Sequence, residues 1–226
     1  MHGIMINKET FQFLSALKKN NNKEWFDENR TVYSKQKNEF ETFISIVITE
    51  IAKFDKESAL TTAKASIFRI NRDIRFSNDK QPYKPNFGAF VAKGGRNGLC
   101  AGYYIHVEPG ACFLAGGIYM PPAPVLKVIR NEVYSNVDEF REIVTTPDFI
   151  KHFGTELSGE KLRSAPRGFP KDFPEIDYLK YKHYTVLKNV PDAVYQKPQF
   201  IGEVIDVFST MAPFNLFLNR ALEDMA

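Results

Sequence analysis

Three runs with a two-residue alternation, 87–93, 99–108 and 111–119, are separated only by GGRNG at 94–98 and by Pro109-Gly110. Such short Gly/Pro/Asn connections leave consecutive strands one course, which is to fold back on each other as an antiparallel meander. A two-residue turn at Pro109-Gly110 also sets the register: Glu108 faces Ala111 and Val107 faces Cys112. Cys100 then lies opposite Tyr119, far from Cys112, so the two cysteines are not expected to bond. No CxxC spacing suggests a disulfide framework. A further alternating run upstream, 66–77, reads as another strand.

Helical periodicity brackets this block. Asn7 caps a first helix to about Lys19, and the Asn20-Asn21-Asn22 run stops it through the tolerance of Asn for left-handed backbone. Asn22 caps NKEWFDENR, turning Trp25 and Phe26 inward. From 31 to 54, Tyr33, Phe40, Phe43, Ile44, Val47, Ile51 and Phe54 recur at helical spacing. After the strands, 125–133 reads as a helix, and Ser135 or Asn136 caps another with Val137, Phe140, Ile143 and Val144 inward. A last helical stretch, 200–208, is bent or broken by Pro213 and continues over 214–222. The stretch 154–198, rich in Pro, Gly and aromatics, has no clear period. Helices before and after a run of strands give an α+β class: an antiparallel meander packed with N-terminal and C-terminal helices.

With 226 residues, 43% of them hydrophobic, the chain can bury a sizeable core. No repeat and no linker-like stretch divides it, so one domain over 1–226 is expected. The opening MHGIMINKETFQF lacks the charged and apolar regions of a signal peptide. The apolar run 43–51 is too short to span a bilayer. A cytoplasmic location and no membrane partner are therefore expected, while the oligomeric state stays open.

The net charge of +3 is too small to argue for nucleic acid, but it is unevenly spread. Residues 61–100 carry eight Lys/Arg against Asp73 and Asp79, a local excess of +6. Its centre is FRINRDIRFSNDKQPYK, residues 68–84. On a strand, Phe68, Ile70, Arg72, Ile74 and Phe76 face one way, and Arg69, Asn71, Asp73, Arg75 and Ser77 the other. Lys80, Tyr83 and Lys84 follow in the loop. Crowded like charges cost stability unless something compensates them. Three accounts stand open: protein carboxylates such as Glu108 or Glu132, a small anionic ligand gripped by planar guanidinium forks, or a nucleic-acid surface.

These segments resemble a widespread, mainly bacterial family with plant members, catalogued as a domain of unknown function. The resemblance rests on Phe13-Leu14 through Asn21-Asn22 and Trp25-Phe26, then Phe68-Arg69-Ile70, Arg72-Asp73, Arg75-Phe76-Ser77 and Asp79-Lys80. Pro82-Tyr83-Lys84, Gly116-Gly117 and Pro166-Arg167-Gly168 extend it over nearly the whole chain. It implies a shared architecture and brings no established activity.

Elsewhere Tyr104, His106 and Glu108 share a strand face, so His106 could act as general base with Glu108 orienting it, set against an ordinary half-buried strand histidine. Arg163, Arg167, Lys180, Lys182 and His183 form a second basic set, set against a solvated edge strand. There is no Walker, GxGxxG, GxSxG or HExxH pattern, and the four histidines are scattered, so no cofactor and no metal are expected. The leading expectation is a pocket in which Arg69, Arg72 and Arg75 clamp a phosphate or carboxylate, closed by Lys80, Lys84 and Arg167. Tyr83 would position the ligand and Asp73 would orient the arginines or act as acid or base. Hydrolysis or transfer at a phosphoryl or acyl group would suit such a site, but no nucleophile is visible, leaving enzyme status open. A nucleic-acid-binding module on the same face is the runner-up, and a scaffold without ligand the third reading.

Overall fold

The computed structural model describes residues 5–223. His2 and the first residues of the N-terminal segment lie outside them. The chain opens with α1 (Lys8–Lys19), α2 (Lys23–Glu28) and α3 (Arg30–Ile51). The Asn7 and Asn22 side chains accept from the Thr10 and Trp25 amides, the capping the sequence predicts. Asn20 ends α1 differently from the expectation. Its φ is −125°, and both its backbone and side-chain amides donate to the Ala16 carbonyl. Hydrogen bonding, not left-handed backbone, stops the helix.

After a one-turn α4 (Ala63–Ser66) come β1 (Phe87–Val91), β2 (Gly102–Val107) and β3 (Phe113–Ile118). They pair antiparallel in chain order, with His106 opposite Phe113 and Gly102 opposite Gly117. This continues the register expected from the Pro109-Gly110 turn, where the Ala111 amide donates to Glu108 at 2.9 Å. The connection around GGRNG is longer than a tight hairpin, with a short 3₁₀ turn over Gly95–Asn97. Three helices follow: α5 (Ala123–Ser135), α6 (Val137–Thr145) and α7 (Pro147–Phe153). The stretch without a clear period then holds α8 (Ile176–Leu179), β4 (Tyr184–Asn189) and α9 (Asp192–Tyr195). β4 pairs with β3 at the far edge and begins directly after the basic residues Lys180, Lys182 and His183.

The final helix, α10 (Phe200–Arg220), runs unbroken through Pro213. Proline removes the bond to the carbonyl four residues earlier. Pro213 and Ser209 are both exposed, so water can take that place. By length and hydropathy (1.3) α10 could cross a membrane, and it comes nearer to that than 43–51 does. Its apolar character has a local account: Val204, Val207, Phe208, Met211, Phe214 and Leu218 are buried in the core. With α3 it covers one face of the sheet, where Tyr103, Ile105, Val107, Leu114 and Val186 are fully buried. A Cβ at Gly116 would lie 2.2 Å from Met211 Sδ and 2.9 Å from Gly102 O, so glycine here leaves the space that the Met211 side chain of α10 fills.

The expected strand over 66–77 does not form. Ser66 ends α4, and only isolated bridges, Ile67 to Ala89 and Asn71 to Tyr83, tie the segment to the chain before and within β1. Phe68 N donates to Gly88 O, whereas Lys84 N donates to Ile70 O, so the pairing slips by two residues between them. A slip of two residues alone would keep each side chain on its face, but the backbone also bends at Ile70, and that bend breaks the side-chain alternation. Ile67 and Ile70 are both buried, Phe68 turns to the other face of the sheet, and Phe76 is 96% exposed. A second ragged ribbon follows the opposite edge, where Ser158 N donates to Thr185 O and Lys182 N to Glu160 O.

Candidate functional site

Among the described residues, no α-helix lines the sheet face turned away from α3 and α10. That face floors a cleft of about 980 Å³ whose lining includes Phe90, Tyr104, His106, Phe113, Ala115 and Leu187. Strand pairing puts these residues side by side: Phe90 faces Tyr104, Tyr104 faces Ala115, and His106 faces Phe113. The two ragged ribbons supply the walls, Phe68 on the β1 side and Ser158 to Glu160 on the β4 side. Arg96, Leu99, Cys100, Tyr119 and Met120 stand at one end. Tyr119 is 71% exposed and Met120 holds a positive φ of 48°, which is uncommon for a residue with a side chain. An apolar, concave surface with a few converging polar groups is the usual form of a small-molecule site.

The polar groups form one chain across the floor. The Tyr104 hydroxyl lies 3.0 Å from His106 Nδ1, and His106 Nε2 lies 3.2 Å from Glu108 Oε2. Glu108 in turn accepts from Lys18 Nζ at 3.1 Å, tying α1 to the end of β2. Burial pushes the Tyr104 phenol up to about 12, with the Glu108 charge adding to it, so the hydroxyl stays protonated and donates to Nδ1. Nε2–H then donates to the carboxylate. Burial also lowers the His106 pKa against the opposing pull of Glu108, so the ring is neutral at neutral pH. Its ring stacks on Phe113 at 4.5 Å, and the Tyr195 hydroxyl sits between the His106 and Phe113 carbonyls. Gly88 makes room for this arrangement, because a Cβ there would lie 2.6 Å from the Tyr104 hydroxyl.

The basic cluster lies apart from the cleft floor. Arg72 pairs with Asp79 and donates to Gln81 O at 3.2 Å, closing the 72–81 loop on itself. Arg75 forks onto Asp73 at 2.9 and 2.6 Å, and that bond holds the exposed Asp73 carboxyl below its usual range. Lys80 donates to Ile74 O. The compensating carboxylates are thus local ones, while Glu132 serves Arg220 and Glu108 serves Lys18 and His106. Tyr83 is a core side chain, stacked on Phe26 at 4.0 Å. Arg167 is exposed on the connection that follows the β4-side ribbon, and Lys182 pairs with Glu160. Among the described residues, Arg69 forms no ion pair, and Lys84 Nζ stands 5.6 Å over the Phe68 ring that walls the cleft. Burial, reinforced by Arg69, lowers the Lys84 pKa.

Of the residues singled out from sequence, His106 lines the cleft with Glu108 directly behind it, while Lys84 stands over its Phe68 wall with Arg69 close enough to lower its pKa. Arg72, Arg75, Asp73 and Lys80 instead hold the loop together. Phe68, Phe90, Phe113 and Ala115 escaped the sequence reading as site residues. The register of the Pro109-Gly110 hairpin held the signal for two of them, since it already sets Phe113 against His106 and Ala115 against Tyr104. Among the described residues no His, Cys, Asp or Glu side chains gather into a metal-holding group.

Residues 9–217 match the family described as a conserved hypothetical protein (DUF2461), and the chain belongs to it. No curated protein and no solved structure matches the chain.

Proposed function

We propose that this protein binds a small organic anion in the cleft over the open sheet face. The carrying observation is the cleft itself: about 980 Å³, lined mostly by apolar residues, that no part of the described chain covers. A monomeric protein rarely leaves so large an apolar concavity without use. The ligand's apolar body lies on Phe113, Tyr104 and Phe90, and its carboxylate or phosphate reaches the Phe68 wall, where Arg69 and Lys84 offer uncompensated charge. Two cations set close together, one of them already losing affinity for its proton, are stabilised by an arriving anion. The three-arginine clamp has less support, because Arg72 and Arg75 already carry protein carboxylates.

A thermal-shift screen tests this reading. The panel contains aromatic and aliphatic carboxylates, sugar phosphates, nucleotides, uncharged analogues of the same bodies, and a short oligonucleotide, each at low and high salt. At a hundred times Kd, a ligand stabilises the native state by about 2.7 kcal/mol. For a chain of this size that raises Tm by roughly 5–10 °C. The expected hit is an apolar-bodied acid, weaker without its charge and lost in Ala115→Trp, which fills the floor. No shift from any small acid, or an equal shift in Ala115→Trp, overturns the proposal. A shift from the oligonucleotide alone that vanishes in salt favours nucleic acid instead.

A further inference from the structure

We propose that Tyr104 is a base-assisted nucleophile toward acyl groups in the cleft, with His106 as the base and Glu108 as a positioning residue. A nucleophile within hydrogen-bond reach of a base, itself oriented by a third group, is the arrangement that activates hydroxyls in covalent catalysis. Here the two links measure 3.0 and 3.2 Å. The sequence alone offers no serine or cysteine in such a setting, and the tyrosine supplies the missing role. Its ring is held edge-on by Phe68 and tilted against Phe113, so the hydroxyl has a fixed position in the floor. This rests on the cleft being a ligand site, and it names the substrate class as an ester whose acyl part is apolar.

The step balances within the cleft. Tyr104 Oη bonds to the acyl carbon while the phenolic proton passes to His106 Nδ1. The bond from the acyl carbon to the leaving oxygen breaks, and His106 returns its proton to that oxygen. Glu108 stabilises the transient imidazolium through Nε2–H, and Lys18 holds Glu108 in place. Water then releases the acid and restores the phenol. Without help, a buried phenol of raised pKa is a poorer nucleophile than an exposed one, so fast reaction at Tyr104 would report the base.

The test treats the folded chain with p-nitrophenyl acetate from pH 5 to 9 and follows acetylation of each tyrosine by peptide mass spectrometry. Exposed Tyr119 serves as the reference within the same molecule. Acetylation at Tyr104 is expected to outpace Tyr119, to fall on the order of a hundred-fold in His106→Gln, and to fall less in Glu108→Gln. In the wild type its rate follows the deprotonation of His106, read from the ring signals by NMR. Variants that melt early are set aside in favour of that wild-type profile, which needs no substitution. Labelling of Tyr104 no faster than Tyr119, or a pH profile indifferent to His106, overturns the proposal. A two-carbon acyl group needs little of the cleft's apolar area, so this outcome is separable from the ligand screen. Fast labelling with an empty screen sinks the ligand reading, and a positive screen with slow labelling sinks this one.

Discussion

The two faces of the sheet are made by the same strands and differ in almost everything else. On one, Tyr103, Ile105 and Leu114 are sealed under α3 and α10. On the other, Tyr104, His106 and Phe113 are aromatic yet left half-buried around a cleft. The alternation of β2 and β3 thus assigns neighbouring residues to different tasks. The helix-covered face holds the fold together. The open face leaves apolar surface uncovered around a chain of polar groups, Tyr104, His106 and Glu108.

Neighbouring substitutions test that division most directly. Leu114→Ala should cost about 3 kcal/mol in urea denaturation. Phe113→Ala, one residue away but half-exposed, should cost about 1 kcal/mol while abolishing any ligand-induced rise in Tm. Equal losses would erase the distinction. A smaller contrast is expected for the hydroxyls. The Tyr103 hydroxyl donates to the buried Asp55 at 2.8 Å. Tyr103→Phe leaves that acceptor short of a donor, at about 2 kcal/mol. Tyr104→Phe leaves His106 Nδ1 at the cleft with Asn86 Nδ2 3.5 Å away, and that amide or water replaces the bond at less than ~0.5 kcal/mol.

Proton linkage sharpens the comparison further. Burial lowers the pKa of His106 on the open face, and of His152 between α7 and α10, where Lys188 adds to the effect. The unfolded chain therefore takes up protons first as pH falls below about 6.5. Stability is full above that value and is lost through the acid side, down to the folded pKa of each ring. Urea melts between pH 7 and 5 should show a shallower decline in His106→Gln and in His152→Gln than in wild type. An unchanged slope in both would remove the histidines from the account. The smallest effect belongs to the basic loop. Arg75→Ala breaks an exposed pair with Asp73 and should leave the urea midpoint almost unmoved. It should leave ligand binding intact, whereas Arg69→Ala and Lys84→Ala should weaken it.

Much of the helix-covered face was legible in the sequence. The Asn7 and Asn22 caps, the buried stripe of α3 and the register through Pro109-Gly110 are local matters of capping, period and turn chemistry. The cleft was less so. Its walls depend on a bend and register slip between 68 and 70 and on a ribbon drawn from 158–162, and neither follows from periodicity. Phe68 looked like core because its parity matched Ile70, yet the bend at Ile70 leaves the two on different faces. The arginines drew attention through charge density, but Asp73 and Asp79 were near enough in sequence to pair with them. Counting cations did not reveal which were already satisfied.

The ragged ribbons have a consequence outside the cleft. Outer strands with bare amides and carbonyls are where protein molecules join, sheet to sheet, into fibres. Here 67–68 lies against β1 at Gly88 and Ala89, and Ser158 bonds β4 at Thr185 by both its amide and its carbonyl. Each outer strand is shielded where its ribbon runs, although the ribbons themselves are too irregular to offer a ladder to a neighbour. Peeling either one away by heat or proteolysis would uncover a templating edge before the core had opened, so aggregation in concentrated solution should begin at the margins of the sheet, ahead of unfolding.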